Sequence, residues 1–146
     1  MPTPDSFDHK LAAAARPVFG SSAVRLVAYL GLCAAYLQGG LVKLTDFPGA
    51  IGEMAHFGLS PAPLFAVLVI LLELGASGMI LAGWQRWLGA LGLAGFTLLA
   101  TGIALRFWEM PAGHERFMAA NSFFEHLGLV GGFLLVAWLD LREKRA

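Results

Sequence analysis

Six side chains with the chemistry to bind or carry something fall inside, or at the rim of, long apolar runs. Glu73 is the only charge in Ala62–Gly83, APLFAVLVILLELGASGMILAG. At about 1.5 Å rise per residue its carboxyl lies roughly 16 Å from the Ala62 end, near the middle of a hydrocarbon core about 30 Å thick. An acid at that depth costs on the order of 2.5–3.5 kcal/mol on insertion scales, so it calls for a partner or a task. Lys43 and Arg106 close two other apolar runs, Glu125 and His126 stand about one turn into a fourth, and Gln38 lies a little deeper than Lys43. Polar groups in lipid turn inward and satisfy one another. One polar cluster towards the outer face, closed below by glycine-packed apolar helices, is the economical arrangement.

Each residue has a plain alternative. As a neutral acid Glu73 donates as well as accepts, which suits a proton carrier or a ligand-headgroup partner; the other reading is a structural hydrogen bond to a neighbour such as Gln38. Lys43 and Arg106 either bind an anionic headgroup or lift their cations to the interface as anchors. Adjacent helical residues differ by about 100°, so Glu125 and His126 do not form a ready-made pair. Glu125 suits a pairing with Lys43 or Arg106, and His126 is either a titrating group or a structural one. His56, His114 and His126, with Glu115, could offer imidazole to zinc or copper. They lack the spacing of a metal motif, so no metal site is assigned, and no catalytic residue either.

The elements that must position these groups are helices in lipid. The 146 residues are 58% hydrophobic and 14% charged with a mean hydropathy of +0.69, where a soluble domain carries roughly a quarter charged residues. Net charge is zero and no basic patch is interleaved with aromatics, which argues against nucleic acid. The single cysteine, Cys33, excludes an internal disulfide or a Cys-x-x-Cys pair, and no haem or iron–sulfur ligand pattern is present. Electrons for any redox chemistry would come from a bound molecule or a partner.

Hydropathy predicts an all-α membrane protein, a four-transmembrane-helix bundle over 23–141, with spans near 23–44, 62–83, 88–106 and 122–139. Residues 1–22 form an N-terminal segment with a short amphipathic surface helix over Ser6–Val18, and 142–146 form a basic tail. The acidic, proline-containing start and the long first run argue against a cleavable signal. Gly89, Gly92 and Gly95 in the third span allow close helix approach. Trp84, Trp87, Trp108 and Trp138 sit at span ends as interfacial anchors, and 107–121 reads as a loop. Seven Lys and Arg residues fall on the side of the termini and three on the other, which predicts both termini in the cytoplasm.

A weak repeat runs through this plan. Gly39, Lys43, Asp46 and Pro48 match the spacing of Gly102, Arg106, Glu109 and Pro111. Glu73-Leu-Gly75-x-x-Gly78 is loosely echoed by Glu125-His-Leu-Gly128-x-x-Gly131. Two parallel halves, each an outgoing helix ending in a cation and a returning helix carrying a glutamate, would produce it.

At these same residues the chain resembles the DoxX family of small four-helix bacterial membrane proteins. The resemblance rests on Gly40-Leu-Val-Lys43-Leu-Thr-Asp46-Phe, Leu72-Glu73-Leu-Gly75 with Leu81-Ala-Gly83, and Glu125-His126-Leu-Gly128-Leu-Val-Gly131-Gly132, and covers roughly 25–140. It implies a bacterial plasma-membrane protein near the quinone pool, since relatives include small subunits of sulfur-linked quinone oxidoreductases. The expectation is an accessory subunit that binds a quinone or lipid among Glu73, Gln38, Lys43, Arg106, Glu125 and His126, beside oxidoreductase partners. The alternatives are a small proton or solute transporter, which at this length would need to form a homo-oligomer, and a structural partner-binding bundle.

Overall fold

The structure, a computed structural model, describes residues 4–145; the first three residues of the N-terminal segment and the last residue of the tail lie outside them. Its helices in chain order are α1 (Pro4–Phe19), α2 (Ser22–Thr45), α3 (Phe47–His56), α4 (Ala62–Ala82), α5 (Arg86–Ala104) and α6 (His114–Glu143), with a 3-10 turn at Phe107–Glu109. Helices α2, α4 and α6, and α5 with the turn that follows it, are long and apolar enough to cross a membrane. The protein is an all-α membrane protein with four such helices.

The chain divides into two compact units, Met1–Gly31 and Leu32–Ala146, with the boundary inside α2. In the first, α1 exposes Phe7, Leu11, Val18 and Phe19. It ends on a Gly20 amide bonded to the Arg16 carbonyl at 2.9 Å, and the Ser21 hydroxyl accepts from the Val24 amide at 3.3 Å to start α2.

In the second unit the rest of α2 packs with α4, α5 and α6. Tyr36 stands edge-on to Phe96 of α5 and Phe133 of α6, with ring centroids 6.5 and 5.4 Å away. Cys33, Ile80, Leu93 and Phe133 are fully buried. Leu71, Leu99 and Leu135 remain more than half exposed, as suits helices whose outer solvent is lipid.

Two glycines set the closest helix approaches. A Cβ on Gly40 would meet the Leu74 side chain at 2.7 Å, and one on Gly89 would meet the Ala76 carbonyl oxygen at 2.8 Å. These positions let α2 lie on α4 and α5 lie on α4.

Between α2 and α4, Asp46 caps α3 by accepting from the Gly49 amide at 3.1 Å, with Pro48 preset in the first turn. Ala50 and Met54 of α3 bury against Ala66 of α4. A left-handed Gly83 ends α4, at φ 77°.

The segment 107–121 is not an open loop. Phe107, Trp108, Phe123 and Phe124 form one edge-to-face cluster that pins the 3-10 turn to α6. Helix α6 accordingly begins at His114, well before Ser122, and runs on into the basic tail as far as Glu143.

Candidate functional site

Glu73 is buried on the inner face of α4, its side chain 7% exposed, and Lys43 of α2 reaches it with Nζ 3.4 Å from Oε1 and 3.3 Å from Oε2. The lysine side chain is itself only 13% exposed. Gly39, one turn before Lys43, leaves room for both groups: a Cβ there would sit 3.4 Å from Nζ and 3.6 Å from each carboxylate oxygen. A second carboxylate, Glu53 of α3, stands 4.0 Å from the same ammonium and is half exposed. Lys43 thus serves two acids, one in the bundle and one on the short helix above it.

This cluster lies on the wall of a cavity of about 540 Å³. Apolar side chains such as Phe65, Leu68, Leu72, Phe96 and Leu99 supply most of that wall, and Tyr36, Thr97 and His126 add polar groups to it. The Tyr36 hydroxyl is hydrogen-bonded to Thr97 Oγ1, 2.5 Å away. One turn on, Thr101 Oγ1 is 2.8 Å from His126 Nδ1. The lining of the cavity therefore carries both an ion pair and a hydrogen-bonded series of side chains, within an apolar volume suited to a small lipophilic molecule.

Of the six residues singled out by sequence, the structure brings Glu73, Lys43 and His126 to this cavity and leaves three outside it. Gln38 lies on an exposed face of α2 and makes no bond to Glu73. Arg106 follows the end of α5 and is more than half exposed, paired with Glu109 at 3.2 Å rather than with Glu125. It faces a second recess of about 430 Å³, together with His56 and Glu109. Glu125 is exposed on α6, next in chain to a histidine that points inward.

The pattern repeat is therefore not reproduced in the pairing. Lys43 stays in register with α2, whereas α5 stops at Ala104 and frees Arg106 to turn outward. The histidines do not converge either: among the described residues no three His, Cys, Asp or Glu side chains are grouped to hold a metal ion.

Sequence reasoning missed Glu53, Tyr36, Thr97 and Thr101 as site residues. The threonines carried a signal, being four apart on a glycine-rich helix and so on one face. It also missed a second buried ionic group at the far end of the bundle. Asp140 of α6, 6% exposed, accepts from the Trp87 amide at 3.1 Å and pairs with Lys144 at 3.1 Å and Arg86 at 3.7 Å. Arg86 also donates from Nε to the Ile80 carbonyl at 2.9 Å, closing the α4–α5 turn. This group clasps that turn to α6 and borders no cavity among those described.

The sequence profile of the DoxX family matches residues 24–106, which include Lys43, Glu53 and Glu73. The chain is 27% identical over 124 residues to the inner membrane protein YphA of Escherichia coli (strain K12), a match that covers 85% of this chain and 84% of that protein. No solved structure matches.

Proposed function

Because the chain belongs to the DoxX family of membrane proteins, we propose that it is an accessory subunit of a membrane oxidoreductase system that holds a quinone or lipid in the cavity beside Lys43 and Glu73. The observation that carries this reading is a buried ion pair on the wall of an otherwise apolar cavity. An ion pair kept only for stability would be better replaced by packed apolar side chains. One that borders an apolar cavity offers a polar headgroup both a donor and an acceptor, while Phe65, Leu68, Leu72 and Phe96 accept a ring or an acyl chain. Lys43 has an N–H to spare for a headgroup oxygen, and Glu73 holds that ammonium in place.

The protein sits in this reading as a multi-pass protein of the bacterial inner membrane, consistent with the name of its relative. The distribution of Lys and Arg supports an orientation with both termini in the cytoplasm. The cavity, at the end where α2 finishes, then opens towards the outer face.

The test is mass spectrometry of small molecules retained after gentle extraction from native membranes, comparing wild type with Glu73→Gln. A stoichiometric quinone or one enriched lipid in wild type, lost in the variant, is the expected result. The same ordinary phospholipids in both samples would refute it and shift attention to liposome flux assays for a transporter.

A further inference from the structure

The polar wall of the cavity has a direction, set by counting protons. A hydroxyl has one proton to give, and a carbonyl oxygen can only accept. Thr97 Oγ1 lies 2.6 Å from the Leu93 carbonyl and Thr101 Oγ1 lies 2.5 Å from the Thr97 carbonyl, each one turn back on α5. Both threonine protons are therefore committed to backbone. The remaining contacts of these two hydroxyls must run towards them: Tyr36 donates its proton to Thr97 Oγ1, and His126 donates from Nδ1 to Thr101 Oγ1.

The consequence is that the wall is rich in acceptors. Tyr36 has spent its only proton inside the protein and keeps lone pairs on its oxygen. A neutral His126 that carries its proton on Nδ1 has Nε2 as an acceptor. Both residues line the cavity. Among the described residues Glu73 receives its hydrogen bonds from Lys43, at 3.3 and 3.4 Å, which leaves acceptor capacity on its carboxylate. Lys43 is the one donor among these, and its charge is shared between Glu73 and Glu53. Two carboxylates around one ammonium also make the site unsuited to an anion.

A ligand that satisfies such a wall must be neutral, lipophilic and bring its own donors. We propose, resting on the quinone reading above, that the cavity selects the reduced, hydroxyl-bearing hydroquinone over the quinone. The two ring hydroxyls of a hydroquinone supply protons to the Tyr36–His126 wall or to Glu73. A quinone brings carbonyl oxygens alone, which face acceptors everywhere except at Lys43.

The experiment titrates the full-length protein in nanodiscs, under anaerobic conditions, with the matched probes decylubiquinol and decylubiquinone. The hydroquinone is expected to bind at least about tenfold tighter, the worth of one or two hydrogen bonds not left unmade. Thr101→Val removes the acceptor that fixes the His126 ring and is expected to bring the ratio of the two affinities towards one. Thr101→Ser, which keeps the hydroxyl, retains the ratio and controls for folding. A wild-type protein that binds decylubiquinone as well as or better than decylubiquinol would overturn the inference while leaving the quinone reading intact. Binding of neither probe would overturn both.

Discussion

Replacing Lys43 by methionine keeps the length of the stem and removes the ammonium. In the wild type that ammonium is 3.3 Å from a carboxylate whose side chain is 7% exposed, and is itself 13% exposed. Removing one partner of a buried pair leaves an uncompensated charge and costs roughly 3–5 kcal/mol. The Glu53 contact, at 4.0 Å and half exposed, contributes little to the loss. Because the cavity reaches the pair, the lower end applies, and we expect about 3 kcal/mol, which is about 150-fold in the unfolding constant.

The double variant Lys43→Met/Glu73→Leu removes both charges and fills the gap with carbon. It should recover most of that loss, since apolar replacement of a whole buried pair is neutral or stabilising. The assay is reversible unfolding in mixed micelles by titration of sodium dodecyl sulfate, read through tryptophan fluorescence. A single variant within about 0.5 kcal/mol of wild type would refute the reasoning. So would a double variant as costly as the two single changes added together.

Other expectations follow from the same geometry. Asp140→Ala should cost roughly 2–4 kcal/mol in the same titration, because it leaves the Trp87 amide without this acceptor and removes the carboxylate from Arg86 and Lys144, whereas Asp140→Asn keeps an acceptor for Trp87 and should cost less. Gly89→Ala pushes a methyl against the Ala76 backbone oxygen and should lower stability by about 1–3 kcal/mol. Gly102→Ala, where a Cβ meets open space, should stay within about 0.5 kcal/mol of wild type by the same measurement. A C-terminal green fluorescent protein fusion should fluoresce and an alkaline phosphatase fusion at the same position should stay inactive, if the tail is cytoplasmic; active phosphatase would reverse the orientation.

Much of the fold was legible because lipid imposes simple demands. Four long apolar runs can hardly be anything other than spanning helices, and a lone acid in the middle of one is conspicuous. Glu73 stood out for that reason, and Lys43 because it closes an apolar run; the structure pairs the two. Glu125 lies outside the cavity because its phase on α6 turns it to the exposed face, and Arg106 because its direction depends on where α5 ends. That end is set by aromatic packing of Phe107 and Trp108 on α6, which no local pattern records. Gln38 was misjudged on helical phase: Gly39 and Gly40, not Gln38, lie against Glu73 and Leu74. Asp140 escaped notice because charges near a span end are ordinarily solvated. Its burial depends on the turn at Gln85–Trp87 folding over it.

The placement of Glu53 on α3 has a consequence of its own. Helix α3 is held to α4 by the packing of Ala50 and Met54 on Ala66, so one of the three charges around the cavity is carried by a short helix that does not itself span the membrane. The cluster of Lys43, Glu73 and Glu53 carries a formal charge of about −1, and Glu53→Gln would bring it to about zero. The electrical polarity of the cavity is thus set in part by a residue of a ten-residue helix outside the four long ones.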